Sequence, residues 1–538
     1  RPRRARRYEG KLPMRSRLAL ILGVLATFVG LLALHYPLLR LPYFWDEAGY
    51  YIPAALDFYR SWLLIPESTL PTGHTPLVMV YLAFVWRVFG FSPLVTRAAM
   101  ILVAAATVVA LYALARRVVT CEAAIWSAVL LALSPMFFAQ SSLVYLDLPA
   151  ALFTTLAVLA LLEGRVWMFA AAASCAVLTK ETAVVLLPVA WVFVWRSTGG
   201  RRAVPLRDWL ALATPLVPLA AWTLYYHHVT GFWTGNAEYL QYNLYSTLDP
   251  GRVFWSLLRR LYEVFVGGFN WLLVAGAALG VWWRRGSPPW AGTKARPYRS
   301  ESHGDTEAQR SFGNLFFLAA GLAVMYLLLL SLVGGAILPR YLLPIIPIVF
   351  LVATVLVWRL PKIVARSLCG ATLACFVAAW FINPPYPFPY EDNLSYADFI
   401  RLHQQAAQFL ESRSPNERIL TAWPATDELA RPFLGYVRKP LRVVPLQGLT
   451  PGEFNGVPAE SFDVLYLYSR KYEPPENWLA RFPYFQKVQE RYFDYAPQAP
   501  DETLVARYRL RLLAQFERRG QWVRIFRRES EVRSQKSK

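Results

Sequence analysis

Six polar side chains stand out in a chain that is otherwise strongly apolar: Asp46, Glu47, His74, Asp147, Lys180 and Arg340. Asp46 and Glu47 are adjacent, in Tyr43-Phe44-Trp45-Asp46-Glu47, just past the first long apolar stretch. Charged groups beside hydrocarbon are costly, and where they persist they mark transport or chemistry. Neighbouring side chains do not share a face, so one acid can meet a reacting group while the other holds a partner. A carboxylate within reach of a hydroxyl can take its proton during attack, which makes Asp46, Glu47 and Asp147 the catalytic candidates. The plain alternatives are a surface-loop acid for the pair and, for Asp147 in LVYLDLPAALF, a favourable charge at a helix start.

Lys180 in AVLTKETAVV and Arg340 in GGAILPRYLLPIIP suit a phosphate-bearing ligand, one as a point charge and the other as a planar fork. Against this, Lys180 could pair with Glu181 or reach towards the interface, and Arg340 could anchor a helix. His74, in PTGHTPL, precedes a proline at a helix start, where it could bind phosphate, orient an acid or ligate a metal. A metal reading of His227-His228 is weak, because neighbours do not readily share one site. The aromatics Tyr43, Phe44, Trp45, Tyr50 and Tyr51 fit an interfacial belt as well as the wall of a sugar site.

What must position these residues is a membrane domain. The chain is 56% hydrophobic and 17% charged, with a mean hydropathy of +0.31, outside the range of ordinary soluble proteins. A net charge of +21 would point to nucleic acid if it formed a stripe on a soluble domain. Instead many basic residues sit at the ends of apolar segments, as membrane topology dictates. Cys121, Cys175, Cys369 and Cys375 show no CxxC spacing, so neither a disulfide framework nor a zinc site is supported. Neither GxxxxGK[ST] nor GxGxxG occurs, so an activated substrate has to arrive without a nucleotide fold. A lipid carrier in the bilayer is the economical answer.

Apolar runs predict about eleven transmembrane helices plus interfacial helices. Residues 1–17 form a basic arm before a retained anchor starting at Leu18, with a nucleic-acid-binding arm as the alternative. The membrane domain spans 18–382, with an outer loop at 40–94 carrying the acids and a cytoplasmic loop at 284–311. Residues 383–526 predict a soluble α/β or α+β domain on the outer side, and 527–538 a basic tail. The segment Thr75 to Gly90 decides the topology. Read as an interfacial helix, it leaves Arg116-Arg117, Arg165, Arg196 to Arg207 and Arg284 to Arg310 inside. Asp46-Glu47, His74, Asp147, Lys180-Glu181 and Arg340 then share the outer face, as one site requires.

These motifs, in this order, resemble the GT-C integral-membrane glycosyltransferases. The carriers are Asp-Glu after the first helix, His74 to Leu77, LDLP at Leu146 to Pro149, LTKET at Leu178 to Thr182 and PRYLLPIIP at Pro339 to Pro347. The nearest branch is the bacterial relatives of protein O-mannosyltransferases and of the lipid A aminoarabinose transferase, over about Leu18 to Phe381. The resemblance implies an all-α polytopic domain that moves a sugar from a polyprenyl-phosphate donor to an envelope lipid, glycan or protein hydroxyl. It implies Asp46 as the base, a place for Asp147 in the same site, and Lys180, Arg340 and His74 on the donor phosphate. It also implies a multi-pass protein of the bacterial inner membrane, with the N-terminus cytoplasmic and the site periplasmic. The aminoarabinose transferases carry Glu-Lys-Pro where this chain has His74-Thr75-Pro76, which argues against an aminoarabinose donor. No cofactor is assigned, and a divalent metal is left open. The rivals are a transporter or flippase for a lipid-linked or anionic substrate, which would favour an internal repeat and midplane charges, and a non-catalytic envelope scaffold.

Overall fold

The computed structural model describes residues 14–198, 204–286, 304–472, 481–493 and 497–529. The basic arm before residue 14, residues 287–303 of the expected cytoplasmic loop, and the tail from 530 lie outside the described residues.

The first half runs through α1 (Met14–Leu34), a π-helical turn (Glu47–Tyr51), α2 (Ile52–Ser61), α3 (Leu77–Phe89), α4 (Pro93–Ala115), α5 (Cys121–Leu133) and α6 (Pro135–Gln140). It continues with α7 (Asp147–Leu162), α8 (Val166–Thr179), α9 (Leu186–Ser197), α10 (Leu206–Ala213), α11 (Leu216–Thr230) and α12 (Ala237–Asn243). Then come α13 (Pro250–Phe265), α14 (Asn270–Gly286), α15 (Gly304–Leu332), a 3-10 turn at Pro339–Leu342, α16 (Ile346–Val357) and α17 (Lys362–Ala379). Local signals place several starts. Ser92 caps α4, accepting from the Val95 amide, with Pro93 in the first turn.

Among the described residues, four segments are long and apolar enough to cross a bilayer: Pro93–Ala115, Pro250–Trp283, Arg310–Leu332 and Lys362–Ala379. Six apolar helices of 10–17 residues accompany them. Prolines divide runs that read as continuous. Pro135 separates α5 from α6 and Pro215 separates α10 from α11, since a helix cannot pass a proline undisturbed. The run Phe254 to Trp283 is two helices, α13 and α14, joined where Gly268 has φ 58°, a left-handed conformation open to glycine. α13 is inverted relative to a soluble amphipathic helix. It buries Arg252, Ser256 and Arg260, a turn apart on one face, while Phe254 and Leu258 are exposed. That pattern fits a helix with polar protein on one side and lipid on the other.

The C-terminal region adds a small α/β unit. α18 (Ser395–Arg413) and α19 (Ala425–Ala430) accompany five strands, and α20 (Pro483–Tyr492) and α21 (Asp501–Tyr508) precede the last two. The strands are β1 (Arg418–Ala422), β2 (Arg442–Leu446), β3 (Val464–Tyr468), β4 (Leu510–Arg518) and β5 (Gln521–Arg528), in the order β2-β1-β3-β5-β4. β1 pairs parallel with β2 and β3, whereas β5 runs antiparallel to β3 and forms a hairpin with β4. β3, buried at every residue, reads as one apolar run because both its faces are covered.

This unit is docked on the acid loop. Phe399 of α18 lies 5.4 Å from the Phe44 ring and 5.6 Å from that of Trp45. The Tyr43 amide donates to Leu434 O at 3.1 Å, and the Tyr436 hydroxyl to Tyr43 O at 3.0 Å.

Candidate active site

The site forms where three breaks in helical structure meet: the loop before the π-helical turn, the start of α7, and the turn at Pro339–Leu342. Each break frees a side chain that a continuous helix would commit to a face. Arg340 is the hub. Its Nη2 donates to Asp46 Oδ2, its Nε lies 3.1 Å from Glu391 Oε1 and 4.0 Å from Asp147 Oδ2. Its guanidinium stacks 3.7 Å over the Tyr145 ring, which fixes the plane of the fork. Nη1 has no hydrogen-bond partner among the described residues.

Lys180 ends α8 in an extended conformation, and its Nζ donates to Asp147 Oδ1 at 2.6 Å. Asp147 therefore does not cap its own helix: it makes no capping hydrogen bond and spends its charge on Lys180. The ammonium of Lys180 also sits 4.0 Å over the Tyr341 ring. Side-chain exposure divides the cluster. Arg340 is 2% exposed, Asp147 3% and Glu391 5%, while Asp46 is 20% exposed. Of these carboxylates Asp46 is the one that reaches accessible space.

Glu47 faces the other way and is fully buried. It accepts from the Phe44 amide at 2.7 Å and the Val144 amide at 2.6 Å, and pairs with the equally buried Arg97 at 3.3 Å. Arg97 in turn donates to Pro42 O and Ser142 O. This lattice ties the acid loop to the segment leading into α7. The loop bends at Trp45, whose φ of 49° places a large side chain in the left-handed region.

His74 pairs with Glu181, Nδ1 to Oε1 at 3.0 Å, beside Lys180 in sequence. Next to this pair opens a pocket lined by Tyr50, Tyr51, His74, Met79, Trp222 and Tyr226. Trp222 Nε1 donates to Gly73 O and the Tyr226 hydroxyl reaches Pro71 O at 3.2 Å, which holds the loop carrying His74. His227 stacks on Trp233 at 4.0 Å. Among the described residues no three His, Cys, Asp or Glu gather as metal ligands would.

The structure thus brings Asp46, Asp147, Lys180 and Arg340 into one cluster, sets His74 at its border, and turns Glu47 into the scaffold beneath it. Sequence reasoning missed Glu391, Tyr145, Tyr341 and Arg97. Glu391 is the most consequential: the Tyr145 hydroxyl donates to its Oε2 at 3.1 Å. Burial pushes its carboxyl up to about 7, with Asp46 and Asp147 adding to the rise and Arg340 opposing it. A further buried cation, Arg260 of α13, donates to Leu330 O, and its Nε and Nη1 lack hydrogen-bond partners among the described residues.

Chemically, the arrangement offers an accessible carboxylate backed by buried cations in a dry setting. It can accept a proton on one side and stabilise an anion on the other.

Residues 73–227 match the family model for dolichyl-phosphate-mannose-protein mannosyltransferases. Among solved structures, ArnT from Cupriavidus metallidurans bound to undecaprenyl phosphate is similar over 96% of this chain and 98% of its own, at 14% identity and a TM-score of 0.53. The apo form of the same protein is similar over 95% and 98%, at 15% identity and a TM-score of 0.53. No curated protein matches the sequence. The resemblance carried by the motifs is borne out at that level: residues 73–227 match the mannosyltransferase family model, and the chain shares the fold of ArnT.

Proposed function

We propose that the chain is a membrane glycosyltransferase that moves a sugar from a polyprenyl-phosphate carrier to a hydroxyl acceptor, with Asp46 as general base. The observation that carries this reading is the exposure pattern of the cluster. Asp46 reaches accessible space, while Lys180, Asp147 and Arg340 are buried behind it. The undecaprenyl phosphate held by the structurally similar ArnT supports a lipid-phosphate donor here.

In the step proposed, the acceptor O–H gives its proton to the Asp46 carboxylate as the oxygen attacks C1 of the sugar. The C1–O bond to phosphate breaks, and its electron pair stays on the phosphate oxygen. Lys180 and Arg340 meet that growing charge where little water competes, which makes each contact worth more than in solution. Asp147 holds Lys180 in place. Glu47 orients the loop through Arg97 rather than touching substrate. His74, paired with Glu181, lies beside the pocket and is assigned to the donor side. One base and no covalent intermediate give inversion at C1. The sugar is a hexose or a pentose, and the acceptor an envelope lipid, glycan or protein.

The setting proposed is the bacterial inner membrane, with about eleven spans, a cytoplasmic N-terminus, and the site and C-terminal domain periplasmic. Shorter helices cross where neighbours shield them or the bilayer thins. The test of the chemistry is turnover of labelled polyprenyl-phosphate sugars by purified protein. Asp46→Asn is expected to lose ~10²-fold to 10⁴-fold, the usual contribution of a general base. Undiminished turnover would remove Asp46 from the role.

A further inference from the structure

We propose that Glu391 is the proton-uptake residue of the phosphate site: it has to be protonated for a polyprenyl phosphate to settle on Arg340 and Lys180. This rests on the phosphate-binding reading above and adds to it a charge-balancing partner supplied by the segment between α17 and α18.

The geometry makes Arg340 a shared resource. Asp46 holds its Nη2, while Glu391 and Asp147 lie 3.1 and 4.0 Å from its Nε. The other cation of the cluster, Lys180, is committed to Asp147 at 2.6 Å. With Asp46, Asp147 and Glu391 all ionised against Arg340 and Lys180, carboxylates already exceed cations before a ligand arrives. A phosphate brings further negative charge into a buried space, where like charges are poorly screened. One acid has to surrender its charge.

The structure selects which. Asp46 is partly open to water, so its charge is stabilised whether or not Arg340 is shared. Asp147 keeps the Lys180 ammonium. Glu391 is buried and, among the described residues, is held by Arg340 and the Tyr145 hydroxyl. Once a phosphate claims Arg340, little holds the Glu391 carboxylate ionised. Protonated, it becomes a hydrogen-bond donor and can serve a phosphate oxygen. The other groups bearing on it do not reverse this. Tyr341 lies beside Arg340, Asp392 follows on the same turn, and Glu263 and Arg259 of α13 stand behind Asp392. The raised carboxyl of Glu391 in the free site is consistent with the same conclusion.

The experiment is calorimetric titration of the full-length protein in detergent with undecaprenyl phosphate at pH 8, in two buffers of different ionisation heat. The lipid phosphate's own titration is common to every protein variant, so differences between variants report on the protein. Wild type is expected to take up about one proton more than Glu391→Gln. Its affinity should weaken towards tenfold per pH unit above neutrality, while that of Glu391→Gln stays flat. Tyr145→Phe keeps the ring over Arg340 but removes the hydrogen bond to the carboxylate, so its affinity profile should move to higher pH. Equal proton uptake by wild type and Glu391→Gln overturns the proposal and leaves the phosphate reading standing. If Glu391→Gln does not fold, an unshifted Tyr145→Phe profile overturns it equally. Failure of wild type to bind the lipid phosphate at all overturns the phosphate reading and this inference with it.

Discussion

Glu47 and Asp46 are chain neighbours in opposite surroundings, and that contrast underlies the roles proposed for them. Glu47 is enclosed by the Phe44 and Val144 amides and by Arg97, with both members of the ion pair fully buried. Glu47→Ala would strand a buried guanidinium, a change that costs about 3–5 kcal/mol in comparable pairs. A large fall in thermal unfolding temperature in detergent is expected for it and a much smaller one for Asp46→Asn; equal falls would contradict the division of roles. Lys180→Met should weaken undecaprenyl phosphate binding by about ten- to a hundred-fold, the range for losing one charge-assisted contact, as a direct titration would show. Glu391 gives a pH signature without ligand. Its carboxyl is raised from 4.5 to about 7 by burial first of all, so the folded state binds more protons than the unfolded one across that window. Stability is therefore present in full below the unfolded value and declines as pH rises towards 7. Melting curves of Glu391→Gln should lack that decline. An identical slope in the variant would show that another group is responsible. None of this pairing was legible in the sequence. Arg97 reads as an ordinary charge near the start of an apolar helix, and Glu391 sits in a turn-rich stretch after α17, where no spacing ties it to Arg340.

At the scale of elements, the acid loop owes its shape to what packs on it. The π-helical turn Glu47–Tyr51 passes so close to Trp423 that a Cβ on Gly49 would meet the indole Nε1 at 2.6 Å. Only the far side of a large ring could yield, and Trp423 is itself wedged against Trp45 and Tyr50. Gly49→Ala should thus displace the loop that carries Asp46 and lower kcat more than it raises KM, measured with a labelled polyprenyl-phosphate sugar. An unchanged kcat would mean that the loop tolerates the shift. Element-level reading from sequence succeeded where an apolar run stands alone: Val95 to Ala115, Leu148 to Leu162, Val166 to Leu178 and Ile363 to Phe381 coincide with α4, α7, α8 and α17, whereas α15 begins at Gly304, inside the stretch expected to be loop. It failed where the signal is a break within an apolar run. Pro135, Pro215 and Gly268 divide stretches whose composition alone looks continuous. The convergence of charges on one face was legible because topology constrains it, while the distances within the cluster come from tertiary packing that no single motif encodes.

At the scale of the molecule, the C-terminal unit is part of the site rather than an appendage. It covers the acid loop through Phe399 and Tyr436, and the segment leading into it carries Glu391 to Arg340. Such an assembly can work only if loop, cluster and C-terminal unit face the same compartment. α4 offers a way to establish which one. It is 23 residues long and apolar enough to span, a length of about 35 Å at the helical rise. Ser92 caps one end, on the side of the acid loop, and the exposed Cys121 follows beyond the other. Two reporters thus bracket one helix. In a variant keeping Cys121 as the single native cysteine, with Ser92→Cys added, an impermeant maleimide applied to intact spheroplasts should label position 92 and spare Cys121 until lysis. Labelling of Cys121 alone would place the acid loop and its cluster on the cytoplasmic side and overturn the proposed orientation. The loss of the Ser92 cap is a modest penalty of about 1 kcal/mol, small beside the packing of α4 against α1 and α7, so the reporter should leave the topology it reads undisturbed.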